Sequence, residues 1–221
     1  MAPSSSVPQL LSSLSDVAVG YLEQLAARFD LAARADDKKL RATFAKLNIK
    51  PWPALLEIER DFGGLRFAEG RGDWLLGPYA IVTQAPRLKN TKASPVLLVC
   101  VGVNDTGGLF ADEPGQIWDE DAAAGSPRLR ADSMQRRIER EAYGDNIGVL
   151  GQYSFKILPS TVSAAAGAKK LRLPLIRAAS DTFERVWQSD KLTVWKSTHD
   201  VRVFAKSDAA LNKALAALQP S

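Results

Sequence analysis

The chain has 221 residues, 46% of them apolar and 24% charged, and its 29 basic and 25 acidic side chains give a formal net charge of +4. Such a composition belongs to a folded globular chain and excludes wholesale disorder, collagen and long coiled coils. The one cysteine, Cys100, excludes an internal disulfide framework and a cysteine-rich zinc site; the one histidine, His199, excludes metal sites that need two.

The apolar residues of 10–29 (Leu10, Leu11, Leu14, Val17, Tyr21, Leu22, Leu25 and Phe29) recur at three- and four-residue steps, so the spacing predicts an amphipathic helix. Asp36-Asp37 starts a second helix with Leu40, Phe44 and Leu47 on one face, ended by Asn48 and Pro51. Pro53 suits the first turn of a third, whose Leu55, Ile58 and Phe62 share a buried face. Gly63-Gly64 stops it, the first glycine serving as a left-handed cap.

The period then becomes extended. Tyr79–Thr83 and Pro95–Val103 read as β-rich runs, the second apolar enough for a central strand covered on both faces. Turns at Gly107-Gly108 and Pro114-Gly115 separate Leu109-Phe110-Ala111 from Gln116-Ile117-Trp118, which predicts an antiparallel meander. Asp132 with Gln135 resembles a capping box opening a helix through Tyr143. Met134, Ile138 and Ala142 would face inward there, and Arg136, Arg137, Arg140 and Glu141 outward.

In the last third, residues 149–158 read as a strand, the small residues of 160–168 as a loop, and Asp181 with Glu184 as brackets of a short helix through Trp187. Lys191–Trp195 and Asp200–Phe204 alternate as a hairpin does, and Ser207 caps a final helix carrying Leu211, Ala214, Leu215 and Leu218. Helices first, then strands, then mixed elements give an α+β class. The expected architecture is a curved, mainly antiparallel sheet flanked by helices. N-terminal helices (1–50) pack on a core (51–145), and 146–221 extend the same domain with a β-hairpin plus helix.

The stretch Leu55–Tyr143 resembles the SUKH superfamily, which comprises bacterial immunity proteins and their eukaryotic cell-wall-regulator relatives. The helix Leu55-Leu56-Glu57-Ile58-Glu59-Arg60-Asp61-Phe62 runs into Gly63-Gly64-Leu65. Trp74-Leu75-Leu76-Gly77, the strand ending Val101-Gly102, Gly108-Leu109-Phe110-Ala111-Asp112 and Gly115-Gln116-Ile117-Trp118 follow. The helix Ser133-Met134-Gln135-Arg136-Arg137-Ile138-Glu139-Arg140 closes the block. The resemblance implies an α+β core and a cytoplasmic, non-enzymatic antidote that binds a delivered toxin domain. It carries over no catalytic residue and implies no cofactor.

The expected contact surface is acidic. Asp105, Asp112, Glu113, Asp119, Glu120 and Asp121 fall within 17 residues that hold no Lys or Arg, and in turns and strand ends they could converge on one rim. Such a rim would steer and block a basic cleft, as in a nuclease toxin. Trp118 beside it is the aromatic anchor of choice. The plainer reading, solvated acidic loops, fits the same residues. The run Arg128–Arg140 could meet phosphates, but Asp132, Glu139 and Glu141 interleave and mark it as a solvated face, so nucleic acid is not the expected partner. The two charge blocks nearly cancel in the net figure. His199 lacks a nucleophile partner, and Cys100 sits among valines as a small hydrophobe. Glu57 and Glu59 stand two apart on a helix and point to different faces. No stretch is long and apolar enough to span a membrane, and no secretory n-region precedes Gln9, so a cytoplasmic protein is expected. The competing expectations are a regulatory scaffold of the same fold that binds a housekeeping partner and, behind it, a nucleic-acid binder.

Overall fold

The structure is a computed structural model that describes residues 11–69, 72–84, 88–90, 96–121, 127–149 and 154–218. Leu10, Pro95 and residues 150–153, which three of the expected elements include, lie outside the described residues. The class is α+β, as the pattern of elements predicts. The described strands form two open antiparallel sheets rather than one, of eight and four strands. The chain divides into two compact units, Met1–Gln135 and Arg136–Ser221.

Unit 1 opens with α1 (Asp16–Gln24), capped by Ser15, whose hydroxyl accepts from Ala18 N at 3.3 Å. This helix is shorter than the apolar period suggests. Ala26 turns left-handed at φ 51°, and the tail of the period becomes β1 (Arg28–Phe29), paired with β2 (Leu65–Glu69). A sheet partner far along the chain thus overrides a local helical pattern. Helix α2 (Asp37–Lys46) starts on its Asp36 cap as expected, and α3 (Pro53–Phe62) carries its proline at the first position. At the end of α3 the glycine roles are exchanged. Gly63 is extended, at φ −56° and ψ 127°, and Gly64, at φ 74°, is the left-handed residue. A Cβ on Gly64 would lie 2.3 Å from the Asp30 carbonyl oxygen, so only glycine fits.

The hairpin β2–β3 (Gly72–Leu76) leads to the clearest departure from expectation. Pro78–Gln84 is a helix, α4, not a strand. Its β-branched Ile81, Val82 and Thr83 favour strands. Pro78 sets the first turn, the Tyr79 N–H is held by Glu59, and Thr83 Oγ1 returns to Tyr79 O at 2.9 Å. Ile81 then packs on Leu98, Cys100 and Phe110 of the sheet. Three-residue β4 (Leu88–Asn90) pairs with central β5 (Leu97–Val103), whose residues Leu98 to Gly102 are all buried. The expected meander continues as β6 (Gly107–Ala111), β7 (Ile117–Asp121) and β8 (Pro127–Ala131), each antiparallel to the one before.

Helix α5 (Met134–Val149) starts two residues after Asp132 and runs past Tyr143. Met134, Ile138 and Ala142 are buried as expected. Arg140 is buried as well, which corrects its outward placement. In unit 2, β9 (Ser154–Pro159) pairs with β12 (Asp200–Ala205), beside β11 (Leu192–Lys196) and β10 (Arg185–Gln188). The hairpin 191–204 forms as read. The expected loop at 160–168 instead enters α6 (Ala164–Lys170), whose small residues serve close packing: a Cβ on Gly167 would lie 2.4 Å from Leu218 Cδ2 of α7 (Asp208–Leu218). The expected helix at 181–187 is a turn followed by β10. Asp181 Oδ1 accepts from Phe183 N at 2.9 Å and Glu184 N at 2.8 Å, which closes the turn and leaves Arg185–Gln188 to pair with β11.

Candidate functional site

The acidic residues do not converge. Asp112 is 3% exposed, and its carboxylate accepts from Gln116 N at 2.8 Å and from Trp118 Nε1 at 2.9 Å. It therefore clamps the β6–β7 turn and is not presented to a partner, and the half-buried Trp118 is fixed by the same bonds. Asp119 and Glu120 are neighbours in a strand, so their side chains leave opposite faces of the sheet. Asp119 lies 3.7 Å from Arg130 Nε, and Glu120 pairs with the Lys89 ammonium, which also sits 5.5 Å from the Phe110 ring centre. The exposed members, Asp105 and Glu113, occupy turns at opposite ends of β6. Five strand residues separate those turns, about 17 Å at the usual rise. Asp121 ends β7 beside Gly107, at the Asp105 end; its side chain lies outside the described residues.

Removing the Asp112 carboxylate strands two half-buried donors, each worth about 1–3 kcal/mol when fully cut off from water. Asp112→Ala should therefore lower the unfolding free energy by about 2–4 kcal/mol, read by chemical denaturation, with the Trp118 indole N–H losing its downfield NMR position. A change below about 0.5 kcal/mol, the range of neutral surface substitutions, would show the clamp to be dispensable.

A different group of carboxylates does gather. A groove of about 140 Å³ runs between α3, the Pro114-Gly115 turn and the start of α5. A cavity of roughly 150 Å³ holds one benzene ring, so this groove takes about one side chain. Buried Ile58, Phe62 and Met134 supply an apolar floor, and Glu57, Asp61 and Asp132 supply the rim; no basic side chain lines the groove, though Asp61 Oδ1 accepts from Arg60 Nε at 3.0 Å beside it. Glu57 and Asp61 stand at i and i+4 on α3, a like-charge spacing that costs a helix roughly 0.2–0.5 kcal/mol. That spacing is the sequence signal for this site. Gly115, at φ 91°, packs against Ala54, where a Cβ would come within 2.8 Å, and so brings the turn against α3.

On the other side of α3, Glu59 is 2% exposed, so it and exposed Glu57 do face apart as expected. Its Oε1 accepts from Ala35 N at 2.8 Å and its Oε2 from Tyr79 N at 3.0 Å. Burial raises this carboxyl above the usual carboxylate range, opposed by the two backbone N–H groups and by the charges of Arg34 and Lys39. A raised folded-state pKa makes its linked contribution to stability full at low pH and lost as pH rises through that pKa.

Arginines of the run 128–140 make ion pairs, and the buried set around Arg140 is the one the solvated-face reading did not foresee. Arg130 pairs with Asp119, Arg137 with Glu141, and Arg140 with Asp181 and Glu184. Glu184 also accepts from Trp195 Nε1 at 2.6 Å. His199 is exposed in the β11–β12 turn, and Cys100 is buried, its thiol 3.4 Å from Gly102 O. Among the described residues, no group of three or more His, Cys, Asp and Glu is placed to hold a metal ion, and no helix is long and apolar enough to cross a membrane. No protein-family model, curated protein or solved structure matches the chain.

Proposed function

We propose that the chain is a non-enzymatic immunity protein that binds and neutralises a bacterial toxin domain in the cytoplasm, through a basic surface of that toxin. The observation that carries this reading is the groove at α3, with its apolar floor and the carboxylates of Glu57, Asp61 and Asp132. An apolar centre with an acidic rim suits a protein partner that inserts a lysine or arginine side chain, which would displace Arg60 from Asp61, because its methylene stem and its charge are matched separately. The SUKH resemblance supports the same reading. Its segments, from the α3 helix through the meander to the start of α5, supply the groove's walls. The acidic residues at the Asp105 and Glu113 turns lie outside the groove lining and act on such a partner at longer range, through on-rate.

The test is co-production of this chain with the toxin domain encoded by the adjacent gene. Rescue of growth and a purified complex are expected. Glu57→Lys with Asp61→Lys, both on the helix surface, should weaken that complex by about 100-fold or more, as reversal of two interfacial charges does. If the purified chain binds no adjacent toxin domain, the reading fails. If the complex forms with undiminished affinity in the double variant, the reading survives and the groove is the wrong surface.

A further inference from the structure

We propose that the four-stranded sheet of the second unit docks the phosphate backbone of a nucleic acid through a row of cations, Arg177, Arg185 and Lys196. The row shares no residue with the groove at α3 or with the arginine run 128–140.

Arg185 of β10 and Lys196 of β11 are direct partners in the antiparallel register, so their side chains leave one face of the sheet about 5 Å apart. On the other side of β10 the chain at 174–176 pairs in its turn. Ile176 N donates to Val186 O at 2.8 Å and Gln188 N to Pro174 O at 3.1 Å, on either side of the Leu175–Trp187 bridge. Two residues past that bridge, Arg177 comes out at the Arg185 end of β10. Arg177 and Arg185 are exposed and Lys196 is half-buried. Like charges directly opposite one another destabilise a sheet. The neighbouring carboxylates do not relieve them. Glu184 is taken by Arg140 and Trp195 Nε1, and Asp200 accepts from Ser197 Oγ at 2.8 Å and lies 3.2 Å from Arg202 Nε. Among the described residues, none of the three cationic side chains has an ion-pair or hydrogen-bond partner.

The charge of the unit points the same way. Residues 136–221 carry 14 basic and 8 acidic side chains, against 15 and 17 in residues 1–135, so the whole positive excess of the chain belongs to the second unit. The occupant that complements this row is a line of anions. Three cations on neighbouring strands span roughly 10 Å. Phosphates follow one another along a duplex strand at about 3.4 Å of axis, so the row meets two or three of them. A lipid surface is a poorer match, because it takes an apolar face that enters between the headgroups. The row continues into buried Val201 and half-buried Leu158, which leaves Leu175, 42% exposed, as the apolar side chain beside the cations.

The test is fluorescence anisotropy of a labelled DNA duplex of about 20 base pairs, titrated with the full chain in about 20 to 150 mM KCl, because phosphate contacts are read by their salt dependence. With three such contacts the association constant should fall by roughly 200-fold across that range, a log–log slope of about −2.7. Arg185→Gln with Lys196→Gln should flatten the slope by about 2, one for each contact removed. Lys169→Gln with Lys213→Gln takes the same charge from exposed positions of α6 and α7 and should leave the slope as it is. No binding by the wild-type chain at the lowest salt would overturn the proposal. So would an equal loss in the two double variants, which is diffuse attraction and not a docking row. Tighter binding to vesicles of equal parts phosphatidylcholine and phosphatidylserine than to the duplex, at equal phosphate, would assign the row to a lipid surface instead.

Discussion

Replacing Arg140 by methionine is expected to destabilise the second unit by about 3–5 kcal/mol. The Arg140 and Asp181 side chains are only 5% and 1% exposed and are paired, and Arg140 Nε lies 3.3 Å from Glu184 Oε2. Methionine fills much of the arginine stem's volume, so the loss comes from two carboxylates left without their cation and not from a cavity. Asp181 keeps its turn amides, Phe183 N and Glu184 N, and Glu184 keeps Trp195 Nε1. Chemical denaturation followed by tryptophan fluorescence reads the change. Adding Asp181→Asn and Glu184→Gln to the Arg140→Met chain should restore part of the loss, because neutral amides no longer require a buried counter-charge. A loss below about 1 kcal/mol for Arg140→Met, the value of an exposed pair, would mean that water reaches the cluster.

Arg140 also shows where sequence reasoning runs out. Charges alternating along a helix normally mark a solvated face, and Arg137 with Glu141 behaves so, at i and i+4. Nothing within α5 distinguishes Arg140 from its neighbours. Its partners lie 41 and 44 positions later in the chain, in a turn that the local pattern presented as a helix. Elements whose cause is local were legible: the Asp36 and Ser207 caps, Pro53 at its first turn, the buried run of β5 and the 191–204 hairpin. Elements decided by a distant partner were not. Ile81-Val82-Thr83 became helix because Glu59 holds the turn ahead of them, and the small residues of α6 became helix because Leu218 packs against Gly167.

The candidate site follows the same division. A run of acidic residues in sequence is not a cluster in space when its strand alternates faces and its turns lie at opposite ends. Asp112, Asp119 and Glu120 each meet a donor or cation that the one-dimensional reading could not see. The groove that does collect carboxylates draws on residues from 57 to 132, and only the Glu57–Asp61 spacing within it is a local signal.

Alanine at Gly77 is the second large effect, and beside Gly20 it separates two meanings of one residue type. Gly77 has φ 114°, a region open to glycine alone, where strain costs an L residue roughly 1–3 kcal/mol. Its Cβ would also meet Gly63 Cα at 2.7 Å and Gly64 N at 3.0 Å, backbone atoms held by bonds to Glu59 O and Leu76 O. Neither can yield without disturbing the end of α3 and the Glu59 carboxylate. Strain and overpacking together put the loss for Gly77→Ala at about 3–5 kcal/mol. Gly20, inside α1, has nothing within 4 Å of a built Cβ, so Gly20→Ala should instead stabilise the chain by up to about 1 kcal/mol. Thermal denaturation of the two variants beside the wild type should therefore move in opposite directions. If Gly77→Ala melts within about 2 °C of the wild type, less than 1 kcal/mol for a chain of this size, the three-glycine contact around Glu59 is not rigid.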